Sequence, residues 1–202
     1  MTPEGDRFDR LRKAVAGALE QAGRGLSEMV GRPIHIEAPE VELVPTSEVA
    51  GRAGGPELVV VGIYLGVTGQ VTGHILLTFP SHSARLLANL LWERPPAQAD
   101  VPLSGEDTSA LAETGNLTAS LFFNYLSDRS GLVIAPTAPT VVEDMLGAVL
   151  DSILAELSLY EDQALLTQTV FSGPSGELTG QLIFLPHLET LQTLMEALRE
   201  EA

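Results

Sequence analysis

The stretch Gly69–Pro80, "GQVTGHILLTFP", has a near twin at Gly176–Pro186, "GELTGQLIFLP". Each reads as a glycine-containing hairpin turn, an apolar strand and a proline that ends it. Working outward, each twin is followed by a helical pattern, "SHSARLLANLLW" in one case and "HLETLQTLMEALREEA" in the other. Each is preceded by another apolar run, "ELVVVGIYLGV" or "QALLTQTVF", which is expected to pair with it. Further upstream lie two long helical patterns, Asp6–Val30 and Ser104–Asp128, with apolar residues at three- and four-residue spacing.

A shift of 100 residues superposes these two helical patterns without gaps. Leu11 falls on Leu111, Leu26-Ser27 on Leu126-Ser127, Gly31 on Gly131, Ile34 on Ile134, Ala38-Pro39 on Ala138-Pro139 and Val41 on Val141. The sequence therefore predicts an internally duplicated α/β (α+β) fold. Two helix-strand-strand-strand-helix halves, about 5–93 and 104–202, are expected to pack about a pseudo-twofold axis with long helices against β-sheet. The connector is "WERPPAQADVPLSG", Trp92–Gly105, whose prolines and small polar residues break both periodicities. Ser104 is placed to cap the helix that follows it. One difference between the halves stands out. After Pro139 the second carries an extra amphipathic helix, Glu143–Leu157, where the first has "EVELVPTSEVAGRAGGP" ending in a glycine-rich loop.

Composition narrows the function. The chain has 202 residues, 45% of them hydrophobic, enough for one sizeable core. With 27 acidic against 11 basic residues, its formal charge of −16 repels phosphate backbones and anionic lipid. Neither nucleic acid nor a membrane surface is an expected partner. The absence of cysteine removes disulfides and thiolate chemistry and agrees with a reducing compartment. "MTPEGDRFDRLRKAV" lacks the apolar core of a signal peptide, so a cytoplasmic protein is expected. His35, His74, His82 and His187 are scattered without metal-ligand spacing, and no metal site is expected.

The polar feature that the fold does not require is "SALAETGN", Ser109–Asn116. At about 100° per residue, Ser109, Glu113 and Asn116 occupy offsets 0, 4 and 7 and lie on one stripe of the second long helix. Alone, such a stripe is more often an ordinary solvated face. The spacing Ser109-x3-Glu113-x2-Asn116-x22-Pro139, in a duplicated chain of this length, resembles the signature of the CheC, CheX and FliY chemotaxis phosphatases. The extra helix resembles CheC rather than CheX.

The resemblance implies a CheC-like fold and a protein aspartyl-phosphate phosphatase acting on CheY-like response regulators. It makes Glu113 and Asn116 the catalytic pair, with Ser109 and Pro139 as supporting motif positions. It also implies that the deamidase CheD can be a partner through the extra helix, that this chain holds no cofactor, and that the response regulator supplies the ligands for Mg2+. Residue chemistry agrees with these roles. An acyl phosphate is already activated, so positioning a water in line with phosphorus suffices. A carboxamide offers both an acceptor and donors without titrating near neutral pH. Glu113 suits pairing with a lysine on the partner.

Carried back 100 residues, the pattern falls on Asp9, Lys13, Ala16 and Pro39. Glutamate has become lysine and asparagine alanine, so this first site is expected to be degenerate. The alternative to an enzyme is a CheC-like adaptor that binds a response regulator, CheD or a flagellar switch component without turnover.

Overall fold

The computed structural model describes residues 3–36, 40–95, 102–158, 162–172 and 178–198. The first half runs α1 (Pro3–Val30), β1 (His35–Ile36), β2 (Glu40–Pro45), a 3-10 turn (Thr46–Glu48), α2 (Val49–Arg52), β3 (Val59–Gly69), β4 (Gly73–Pro80) and α3 (Ser81–Leu91). The second repeats that order with α4 (Gly105–Ser130), β5 (Ile134–Pro136), β6 (Thr140–Met145), α5 (Leu146–Ser158), β7 (Gln163–Ser172), β8 (Thr179–Pro186) and α6 (Leu188–Ala197).

Among the described residues eight strands join one antiparallel sheet in the order β1-β7-β8-β4-β3-β5, with β2 also on β7 and β6 also on β3. The two quoted twin stretches meet at its centre. β4 runs against β8 from Gly73 opposite Pro186 to Thr78 opposite Gln181. Leu76 faces Ile183, which holds the same place in the second twin, so the ladder is symmetric about that pair. The outer ladders repeat each other as well: Glu40 pairs with Gln168 across β2 and β7, and Thr140 with Tyr64 across β6 and β3. Each half thus lends its first two strands to the other half's hairpin.

The halves contain one strand more than the sequence pattern suggested, and the reading of the extra helix is corrected accordingly. Glu143–Met145 belong to strand β6, and α5 begins only at Leu146. The first half is not bare at the equivalent place, because β2, the 3-10 turn and the four-residue α2 occupy it. The two halves differ there in the length of a helix.

Two apolar layers sandwich the sheet. On one face α1, α3, α4 and α6 bury Leu11, Val15, Leu19, Leu87, Leu111, Phe122, Phe123 and Leu194 against Val61, Ile63, Leu65, Ile75 and Phe184. The other carries the smaller layer, in which Val49, Leu146, Val149, Leu150 and Ile153 cover Val60, Leu76, Leu166 and Ile183. The apolar stripe of α5 is therefore consumed by packing, while Asp151 remains exposed. At about 25 cal/mol per Å2, burial on this scale is the dominant stabilising term.

α1 and α4 are stopped by the same device. Gly31 and Gly131 sit just past the two helices in the left-handed region, with φ of 65° and 73°. Their backbone amides return to the Glu28 and Ser127 carbonyls. The expected cap on α4 is present as a capping box. The Asp107 amide donates to Ser104 Oγ at 3.1 Å, and the Ser104 amide donates to Asp107 Oδ2 at 3.0 Å.

Candidate functional site

Helix α4 carries Ser109, Glu113 and Asn116 on one side and buries Leu111, Thr114, Gly115, Thr118 and Phe122 on the other. Ser109 and Glu113 are exposed and Asn116 is half-buried. Ser109 Oγ donates to the Gly105 carbonyl at 2.9 Å, so that hydroxyl is engaged within its own helix. Among the described residues, neither the Glu113 carboxylate nor the Asn116 carboxamide has a hydrogen-bond partner. Both keep their full hydrogen-bonding capacity for something outside the chain.

The buried side fixes the height of this face above the sheet. Thr114 Oγ1 donates to the Ala110 carbonyl at 2.9 Å and contacts Met29 Sδ of α1 at 3.3 Å. Gly115 lies so close to β3 that a Cβ there would overlap Ile63 Cγ2 and come within 3.2 Å of Ile63 Cβ. Sequence reading passes over Gly115, although a glycine inside a helical pattern normally costs about 1 kcal/mol against alanine. Its reason is the close approach of α4 to the sheet one residue before Asn116. α1 reaches α4 by the same means, with Gly17 facing Tyr125 and Gly25 facing Leu121.

Pro139 is half-buried in the link between β5 and β6. That link is tied to β3, where the Gly66 amide donates to Thr137 Oγ1 at 2.9 Å and the Thr137 amide donates to the Gly66 carbonyl at 2.8 Å. On α1, Asp9 and Lys13 are exposed and Ala16 is half-buried. Pro39 lies outside the described residues.

Charge is distributed unequally between the two helices. α1 balances five basic residues, Arg7, Arg10, Arg12, Lys13 and Arg24, against five acidic ones, Glu4, Asp6, Asp9, Glu20 and Glu28, whereas α4 carries only Arg129 against Glu106, Asp107, Glu113 and Asp128. At the start of α4, burial works to raise the Asp107 carboxyl, but its hydrogen bonds from Ser104 and the neighbouring Arg94 outweigh that and hold it below the ordinary aspartate range.

The histidines are less scattered in space than in sequence. His74 on β4 places Nε2 3.4 Å from Nε2 of His187, which precedes α6. Tyr64 Oη lies 3.0 Å from His74 Nδ1, and Thr72 Oγ1 lies 3.1 Å from His187 Nδ1. Among the described residues no group of three or more histidine or carboxylate side chains is placed to hold a metal ion.

No protein-family model matches the chain. It is 29% identical over 198 residues to the CheY-P phosphatase CheC of Bacillus subtilis (strain 168), covering 96% of this chain and 94% of that one. Its fold is similar to Thermotoga maritima FliY, with a TM-score of 0.74 and 17% identity across 98% of this chain and 97% of that one. Also similar is the Borrelia burgdorferi CheX structure in its complex with CheY, BeF3 and Mg+2, at TM-score 0.56 and 18% identity over 84% and 95% of the chains. FliM from the H. pylori FliM-SpeE complex shares the fold at TM-score 0.67 and 10% identity, over 98% and 95%. Among the described residues no helix is long and apolar enough to cross a membrane.

Proposed function

The chain belongs to the CheC/CheX/FliY family, and from that premise we propose that it hydrolyses the aspartyl phosphate of a CheY-like response regulator in chemotaxis signalling. Asn116 orients the attacking water, and Glu113 pairs with a cation on the regulator to fix the docking register. The observation that carries this reading is the pairing of an unengaged carboxylate and an unengaged carboxamide on one accessible stripe of α4. The relationship to a CheY-P phosphatase supports the substrate class.

The step demands little covalent chemistry. Water oxygen bonds to phosphorus while the bond from phosphorus to the acyl oxygen breaks, giving the free aspartate carboxylate and inorganic phosphate, with the proton passing to solvent. Because the leaving group is a carboxylate, whose conjugate acid ordinarily has a pKa of about 4, it departs without a general acid. The protein's share is therefore to hold the water in line with phosphorus, which a fixed amide can do. Any magnesium at the phosphoryl group would be ligated by the regulator's own residues. The working unit is the whole chain, read as two repeats, 5–93 and 104–202, of which only the second carries the chemical groups. CheD is proposed as a further partner through the outward side of α5 around Asp151.

Mixing the purified protein with a phosphorylated CheY-type regulator and following the acyl phosphate tests the reading. Faster loss of phosphate, saturating with regulator concentration, is expected. Saturable binding with no acceleration would replace the phosphatase by an adaptor.

A further inference from the structure

Trp92 is the chain's single tryptophan, and it is 46% exposed. It sits at the C-terminal cap of α3, where the Glu93 amide donates to the Leu90 carbonyl at 3.2 Å and the Arg94 amide donates to the Asn89 carbonyl at 2.8 Å. This paired return of amides ends a helix through a left-handed residue, a place that usually belongs to glycine. Here Glu93 holds it with φ of 53°, the one non-glycine residue in the positive-φ region among the described residues. Backbone held in so disfavoured a conformation points to a position that must be kept.

What is kept is a small assembly of ring, cation and carboxylates. The Arg94 guanidinium lies over the Trp92 ring, 5.4 Å from its centroid. Arg94 Nη1 donates to Asp107 Oδ1 at 2.9 Å and Nη2 to Glu106 Oε2 at 3.0 Å. Ring and cation are thereby fastened to the first turn of α4. Glu106 stands three, seven and ten residues before Ser109, Glu113 and Asn116, which continues the same helical stripe. At 1.5 Å per residue, Glu106 is about 15 Å from Asn116 along the helix. That separation fits within the roughly 800 Å2 that one partner contributes to a specific protein interface.

Resting on the phosphatase reading, we propose that Trp92, mounted on Arg94 and the left-handed Glu93, is the anchor of the surface on which the phosphorylated receiver domain docks. The occupant is a receiver domain that offers an apolar patch to the indole beside the cation that meets Glu113. Charge complementarity runs the same way: Glu106 is satisfied by Arg94, and the carboxylate of Glu113, unpaired among the described residues, is what meets that cation. Tryptophan and arginine are the residues that most often dominate binding at such interfaces, and the ring carries large apolar area with few degrees of freedom to lose. Trp92 acts on docking and not on the reacting atoms.

The full chain labelled with 5-fluorotryptophan gives one fluorine resonance from this protein, and an unlabelled CheY-type receiver domain held in its phospho-like state by beryllofluoride and magnesium is the probe. The resonance is expected to shift or broaden on titration. Trp92→Ala should raise the regulator concentration for half-maximal turnover by about five-fold, leave the maximal rate within about two-fold, and be largely rescued by Trp92→Phe. A resonance unmoved by a receiver domain that the parent protein dephosphorylates, or an unchanged half-saturating concentration, overturns the anchor while the phosphatase reading stands. Binding that moves the resonance without hydrolysis leaves the anchor and removes the phosphatase. Neither binding nor hydrolysis removes both.

Discussion

Helices α1 and α4 occupy corresponding places on the same face of one sheet, end in left-handed glycines 100 residues apart, and press against each other through Gly17 and Gly25 on one side and Tyr125 and Leu121 on the other. Their buried sides are interchangeable in kind. Their outward sides are not. α4 presents Ser109, Glu113 and Asn116, while the matching positions on α1 are Asp9, Lys13 and Ala16, within residues 6–16, where Arg7, Arg10, Arg12 and Lys13 outnumber Asp6 and Asp9. Part of that positive charge is structural: Arg12 donates to the Val41 carbonyl at 3.2 Å, and Arg7 meets Glu196 of α6 at 3.5 Å. Lys13 has no partner among the described residues. The fold is thus indifferent to what these helices show to solvent, so the polar triad on α4 has to be explained by something the fold does not need.

The sharpest break in the comparison comes from Asn116→Ala. It should lower turnover by roughly 100-fold, the scale of a misplaced reacting group, with denaturation midpoint and regulator binding close to the parent's. Joint loss of binding and folding would show that Asn116 is structural. Next in size, Glu113→Lys gives α4 the charge that Lys13 gives α1. It should raise the half-saturating regulator concentration by about ten-fold, measured from initial rates at several regulator concentrations. An unaltered concentration dependence removes the docking role.

Gly115→Ala separates the helices in another way. The new Cβ meets Ile63 in the core and should cost about 1–3 kcal/mol in a denaturant titration, despite the better helix propensity of alanine. Turnover should fall as α4 lifts from the sheet. In Gly17→Ala the added methyl meets the end of the Tyr125 side chain, which can swing aside, and turnover should hold.

A smaller effect tests the cap that orients α4. Asp107 has its pKa depressed in the folded chain, so its contribution is fully present above the unfolded value near 4 and is lost as pH falls through the folded value. Asp107→Asn should remove about 1 kcal/mol at neutral pH and flatten the acid-side decline of stability followed by circular dichroism. Smallest of all, Lys13→Glu with Ala16→Asn on the Asn116→Ala background should return a trace of turnover at α1. A rate identical to Asn116→Ala alone would show that matching the side chains is insufficient, as expected if placement must be good to about half an ångström.

The stripe on α4 was legible because helical spacing alone puts offsets 0, 4 and 7 on one side, and because Pro139 stands at a fixed distance along the chain. The paired strands and the cap at Ser104 were legible for equally local reasons. Strand β6 was not. Thr140–Met145 runs without a break into Leu146–Ser158, and an edge strand in which Glu143 and Asp144 are both exposed offers no clean alternation to mark where extended backbone becomes helix. Gly115 was hidden because its meaning depends on Ile63, a residue on another element. Arg94 was hidden for the same reason, since its partners Trp92, Glu106 and Asp107 straddle a proline-rich connector that reads only as a spacer.

The exchange of first strands between halves sets the order in which this molecule can be made. β1 and β2 leave the ribosome early, but among the described residues their ladder partner is β7, and the hairpin β3-β4 closes the sheet only after β8 has been synthesised. Neither half can therefore serve as a template on which the other assembles. Folding has to wait for most of the chain, and the long loops it must close predict slow, high-contact-order kinetics. Meanwhile apolar strands stand unpaired in a nascent polypeptide, the situation in which chains associate wrongly. Of the net charge of −16, residues 104–202 carry −13 and residues 1–93 only −3, so mutual repulsion keeps such chains apart only once the second half has been made.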